Sequence, residues 1–309
     1  MPKIIRFFRA KTRYAQKLKM VWEITEYEGC DMNVPALHLP PLDVDSINIH
    51  STVQQRLVFA TQEIVARGWY MTANQATVSI AQAHAQTRAT TRRISVDALL
   101  SPRRSFPQTV TMVHNQTALT VGQAWYRRGY RVALVNATPL WLCHPATIAA
   151  RMPDNALLFA SGIADCVIQN GLYRQRENAD DALVVTPQLP VFRTDVGDLL
   201  ARPWYVDAIT TQFNYPQRLG PFLHIDPGKF QRWFTHVIQT ASGLGANVLV
   251  VNISMQSDAE LLAQLFAQTL TTINPRGLAV IDFAIPDINP TQSHVSPFWY
   301  QFAGHTYYH

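Results

Sequence analysis

The chain has 309 residues, of which 48% are hydrophobic and 15% charged. That balance excludes a disordered chain and leaves material for one large buried core or two modest ones. The net charge of +5 is concentrated: the first 20 residues hold seven Lys or Arg and no acid, leaving 19 basic against 21 acidic side chains beyond them.

The basic segment comes first in chain order, with Lys3, Arg6, Arg9, Lys11, Arg13, Lys17 and Lys19. Three readings of it stay open. It contacts nucleic acid or an anionic surface through counterion release; it is a solvated arm; or residues 1–19 are translated sequence upstream of a natural start at Met20. Charges interrupt every apolar stretch there, so a secretory signal is not expected. Residues 21–50 carry Pro35, Pro40 and Pro41 among polar neighbours and read as an irregular lead-in. The division expected is a basic segment and lead-in over 1–47 and a domain over 48–309 that includes an N-terminal helical extension.

The spacing of Leu57, Thr61, Ile64 and Val65 predicts a helix over Thr52–Arg67 ending at Gly68. A second helix is expected over Val78–Ala89, and a basic turn at Ser101-Pro102-Arg103-Arg104. From Gln108 strands and helices alternate: a strand over Thr109–Val113, a helix over Asn115–Arg128, and an apolar strand over Val132–Val135. Strands follow at Leu183–Val185 and Val206–Thr210. A helix over Lys229–Ala241 repeats Phe230, Trp233, Phe234, Val237 and Ile238 at three and four. A strand over Val248–Ile253 leads to a capping box at Ser257-Asp258-Ala259-Glu260 and a helix with Leu262, Leu265, Phe266 and Leu270 on one stripe. Leu278–Ile285 is the last strand. The alternation argues an α/β layered domain. No run of 18 apolar residues exists, so no spanning helix is expected. The three cysteines, Cys30, Cys143 and Cys166, match no disulfide or metal spacing and are expected as free thiols in a reducing, cytoplasmic setting.

Several of these segments, in order, resemble the microbial-type poly(ADP-ribose) glycohydrolase family. Gln62-Glu63-Ile64 through Trp69-Tyr70 is similar to that family's opening helix and its ending. Asn115-Gln116-Thr117-Ala118-Leu119 resembles the start of its next helix, and Arg131–Thr138 the strand into its active-site loop. Gly171-Leu172-Tyr173, Val191-Phe192-Arg193 and Val248–Phe266 resemble later pieces. The resemblance covers roughly residues 50–300 and implies a three-layer α/β/α macrodomain-like fold with a mixed central sheet. It also implies an ADP-ribose-type ligand. No metal and no cofactor are expected.

The family's chemistry rests on a glycine run, whose N–H groups ring a diphosphate, and on a Gln-Glu-Glu triplet that supplies acid and base for a ribose–ribose bond. Here the glycine run is replaced by Pro139-Leu140-Trp141-Leu142-Cys143-His144-Pro145. Counting back from Gly171, the triplet falls near Gly162-Ile163-Ala164, none of which moves a proton. No glutamate lies between Glu63 and Glu177. The second phosphate loop is reduced to Asn252-Ile253-Ser254-Met255-Gln256. The expectation is therefore a divergent, catalytically inactive member that binds an ADP-ribose-type nucleotide or a protein partner. Asn136, Thr138, Gly162, Asn252, Ser254 and Ser257 are its candidate ligand-binding residues. The alternative is an active ADP-ribosyl glycohydrolase with a relocated carboxylate, Asp165 or Asp154. Cys143-His144 is read as packing rather than a thiol–imidazole pair, and ten scattered histidines give no metal spacing. The aromatic groups Phe298-Trp299-Tyr300 and Tyr307-Tyr308 serve either core packing or a protein partner.

Overall fold

The computed structural model describes residues 49–95, 105–136, 156–169, 183–211, 226–253, 259–273, 275–285 and 301. The chain divides into two compact units, Met1–Val53 and Gln54–His309, and the account below concerns the second. Thr138, Asp154, Ser254, Ser257 and the loop from Pro139 to Pro145 lie outside the described residues, as do the basic segment, the turn at Ser101–Arg104 and both aromatic groups near the carboxyl end.

The elements are α1 (Ile49–Arg67), β1 (Trp69–Met71), β2 (Thr77–Ser79), α2 (Ala81–Thr90), β3 (Arg92–Ile94), β4 (Val110–His114), α3 (Ala118–Arg127), β5 (Val132–Asn136), α4 (Ala156–Ala160), α5 (Ile163–Gln169), β6 (Leu183–Arg193), β7 (Leu199–Thr211), α6 (Pro227–Leu244), β8 (Val248–Asn252), α7 (Ala259–Ile273) and β9 (Val280–Ala284). Strands β1 and β2 form a small antiparallel hairpin; the other seven make one sheet in the order β3-β6-β7-β5-β8-β9-β4. Pairs β3–β6 and β6–β7 are antiparallel, and β7–β5, β5–β8, β8–β9 and β9–β4 are parallel. This is the expected mixed central sheet with helices on both faces.

Alternation along the strands assigns the two faces. Ala133 and Val135 of β5, Leu249 and Val251 of β8, and Ile281 and Phe283 of β9 share a core with Phe230, Trp233 and Phe234 of α6 and Phe266 of α7. Ring centroids of Phe234 and Phe266 stand 4.7 Å apart, edge to face, a favoured aromatic geometry. The intervening residues turn the other way, where α3 covers them: a Cβ built on Gly122 of α3 would stand 3.7 Å from Val132 Cγ1.

Helix ends follow local chemistry. Asp226 caps α6 by accepting from the N–H groups of Gly228 and Lys229, Pro227 opens it, and Gly245 closes it at φ 85°. Thr117 caps α3 by accepting from Thr120 N–H, and Asp195 accepts from both Thr117 and Thr120 hydroxyls at 2.7 and 3.0 Å.

Three expectations change. Val78 lies in β2, and the second helix begins only at Ala81. Asn115 and Gln116 precede the cap of α3 rather than entering it. The strand expected at Leu183–Val185 runs to Arg193 as an 11-residue strand. Pro187 and Pro190 interrupt its pattern, and the ladder shifts register between Thr186 and Leu189. There Gln188 adopts φ 52° and donates its N–H to buried Asp207, which Arg131 also holds through Nε at 2.6 Å and Nη2 at 3.1 Å.

Candidate functional site

In open α/β sheets, ligands gather beyond the carboxyl ends of parallel strands. The ladders put one residue of each such strand at a single level there. Asn136 pairs with Thr210. One step past the pair Val135–Val251, Asn136 stands beside Asn252, which pairs with Ala284, and Ala284 pairs with His114. By alternation these five share the face that α3 covers. Asn136 is buried, and its Nδ2 donates to Thr210 Oγ1 at 3.3 Å; Asn252 is half-buried. Two candidate binding residues are thus side by side on neighbouring strands.

The segment from Phe159 to Cys166 is of another kind. Gly162, Ile163 and Ala164, where the acid-bearing triplet would fall, are all buried. A Cβ on Gly162 would stand 2.6 Å from His84 Nδ1, nearer still to Cε1, and 3.0 Å from Val65 Cγ2. No larger side chain fits there without displacing the imidazole. Below it, Thr61 donates to the Phe159 carbonyl and accepts from Arg193 Nε at 3.1 Å. Arg193 Nη1 donates to the Gly197 carbonyl at 2.9 Å. Arg193 is almost wholly buried, and that desolvation pulls its guanidinium down to about 10.

Asp165 lies in the first turn of α5. Its Oδ2 meets His84 Nε2 at 2.8 Å and Arg88 Nη1 at 3.8 Å, with a quarter of the side chain exposed. An ionised carboxylate only accepts, so His84 carries its hydrogen on Nε2. His84 Nδ1 is buried, has no hydrogen-bond partner, and faces Gly162. Gly162 and Asp165 are therefore brought to α2 and His84. Burial first, and Asp165 second, push the adjacent Cys166 thiol up to about 12, so it is no nucleophile at neutral pH.

Sequence reasoning missed one further group. Asp282 of β9 is fully buried; Oδ1 accepts from His114 Nδ1 at 2.7 Å and Oδ2 from Trp125 Nε1 at 2.8 Å. The bond to Asp282 raises the His114 pKa above its ordinary 6.5, while burial and Arg128 oppose the rise. A carboxylate inside Val-Ile-Asp-Phe-Ala was the available signal, since a strand covered on both faces is otherwise apolar. Among the described residues no group of three or more His, Cys, Asp or Glu is placed to hold a metal ion, and no helix is long and apolar enough to cross a membrane.

No protein-family model and no curated protein sequence matches the chain. Solved structures do. Poly(ADP-ribose) glycohydrolase from Thermomonospora curvata is 23% identical at a TM-score of 0.71, covering 81% of this chain and all of its own. The same enzyme bound to the inhibitor ADP-HPD is 24% identical at 0.69, with the same coverage. Poly(ADP-ribose) glycohydrolase from Deinococcus radiodurans in complex with ADP-ribose is 22% identical at 0.57, covering 74% of this chain and 99% of its own. The chain has the fold of these bacterial structures.

Proposed function

We propose that the chain is a macrodomain-like protein, divergent from the poly(ADP-ribose) glycohydrolases, that binds an ADP-ribose-type nucleotide and does not cleave it. The observation that carries this reading is the sealed segment at Gly162-Ile163-Ala164, buried with His84 packed against the glycine. A hydrolase of this kind needs a carboxyl group there to protonate or deprotonate the ribose linkage. The ligand class is supported by two solved relatives in fold, one holding ADP-ribose and one an inhibitor. Asn136 and Asn252 supply neutral donors and acceptors to it, and Thr138, Ser254 and Ser257, close behind them in the sequence, are the further candidates, while Gly162 is buried against His84 and stands apart from the rim. The domain spans 48–309 and works in the cytoplasm, and residues 1–47 are a basic N-terminal segment and an irregular lead-in. A protein partner is the other occupant of the same rim.

Isothermal titration with ADP-ribose, followed by product analysis on a poly(ADP-ribosyl)ated substrate, tests the reading. Saturable binding without release of ADP-ribose is expected. Steady release by the wild-type protein overturns it.

One observation favours a second reading. Asp165 is a partly exposed carboxylate oriented by an imidazole, an arrangement compatible with proton transfer in a relocated active site; Asp154 is the other carboxylate of that interval. Turnover that disappears in D165N/D154N would support this version. Turnover that persists would exclude it.

A further inference from the structure

The fully buried Asp282 is not explained by packing. Valine or leucine at this position of β9 would satisfy the sheet with no desolvation cost, and a buried charge pair is seldom a net source of stability. Its two oxygens are both committed, to His114 and to Trp125. The consequence is a fixed imidazole. Asp282 holds the hydrogen on His114 Nδ1, which leaves Nε2 as the other ring nitrogen of a side chain that is 28% exposed. His114 closes the row Thr210, Asn136, Asn252, Ala284, His114 at the carboxyl ends of the strands, on the same face. It is three strands from Asn136, about 14 Å at the usual strand spacing.

We propose that the Trp125–Asp282–His114 group is a phosphate-oxyanion contact at this rim, with His114 as the residue that touches the ligand and Asp282 and Trp125 as positioning residues. Protonated at Nε2, the imidazole donates to a phosphate oxygen. Neutral, it presents only a lone pair and releases it. Asp282 from β9 favours the charged ring, and Arg128, just beyond α3, opposes it. The Asp195 carboxylate already occupies the neighbouring start of α3 through Thr117 and Thr120, so the oxyanion is held by the imidazolium and not by that helix end. The choice of a nucleotide as the natural source of the phosphate rests on the function proposed above; the oxyanion contact itself does not.

The test is imidazole NMR on the full chain, with ADP-ribose, AMP and inorganic pyrophosphate as separate probes. Titration calorimetry from pH 5.5 to pH 8.5 accompanies it on wild type and H114N. The expected result is a shifted Nε2 resonance and a higher His114 pKa with bound phosphate. Affinity then falls by up to about tenfold per pH unit between the His114 pKa of the free protein and that of the complex, and levels off above the latter, while H114N binds more weakly with a flat pH profile. D282N should lower the His114 pKa in the free protein. If pyrophosphate moves His114 but ADP-ribose does not bind, the oxyanion contact stands and the nucleotide reading fails. If ADP-ribose binds while the His114 resonances stay still, or if no probe moves them at millimolar concentration, the inference is overturned.

Discussion

The rim of β7, β5, β8, β9 and β4 and the segment from Phe159 to Cys166 are built from different material. The rim presents amides, a hydroxyl and an imidazole in register on one face of the sheet. The segment presents Phe159, Ala160, Gly162, Ile163 and Ala164, all buried, and its one carboxylate is tied to His84. Binding a nucleotide needs fixed hydrogen-bonding groups and room for the ligand. Cleaving it needs, in addition, a group that changes protonation beside the ribose. The first requirement survives substitution of glycines and acids in the loops far better than the second, because the strands that hold the rim are also the core.

The largest test of this contrast is G162E. A carboxylate placed where His84 now packs is buried without a partner, and a loss of about 4 kcal/mol or more is expected by urea unfolding. The sharper form is a cycle with G162A and H84A: the first should cost about 1–3 kcal/mol from overpacking. The double variant should recover part of the combined loss, because the two residues share one volume. Strict additivity would mean that the imidazole does not hold that space.

On the rim side, D282A removes a buried carboxylate and leaves the Trp125 N–H without its acceptor. A loss of about 2–3 kcal/mol is expected by the same measurement. T117A should cost about 1 kcal/mol, since it removes the cap of α3 and one donor to Asp195. The smallest effect is that of pH. His114 has its folded pKa raised above the unfolded value of 6.5. Its contribution is therefore fully present below pH 6.5 and is lost as pH rises through the folded pKa. Wild type should lose stability relative to H114N over that window, measured as the midpoint of urea unfolding against pH. An equal slope in both proteins would remove the His114–Asp282 bond from the account.

Much of the frame was legible in the sequence because a short period decides it. The apolar runs of β5 and β8 point to strands covered on both faces, and the three-and-four spacing of α6 and α7 points to one packing stripe on each helix. Where local chemistry opposes the period, the reading stopped short: Pro187 and Pro190 hide most of β6, whose ladder shifts register between Thr186 and Leu189 while Asp207 accepts the Gln188 N–H. Val78, expected at the start of a helix, pairs with Tyr70 in the hairpin instead. The candidate site was read from what is missing: one glycine, Gly162, and no glutamate between Val132 and Asn170. What replaced them was not, since His84 meets Asp165 across 81 positions and His114 meets Asp282 across 168. No spacing rule reaches that far; only the order of strands brings those pairs together.

A crystal structure with ADP-ribose bound tests the central contrast most directly. The account predicts the nucleotide along the row from Asn136 to His114, with no carboxyl oxygen within hydrogen-bonding distance of the distal ribose. A ligand that instead opens the segment at Gly162 and places Asp165 against that ribose would contradict it.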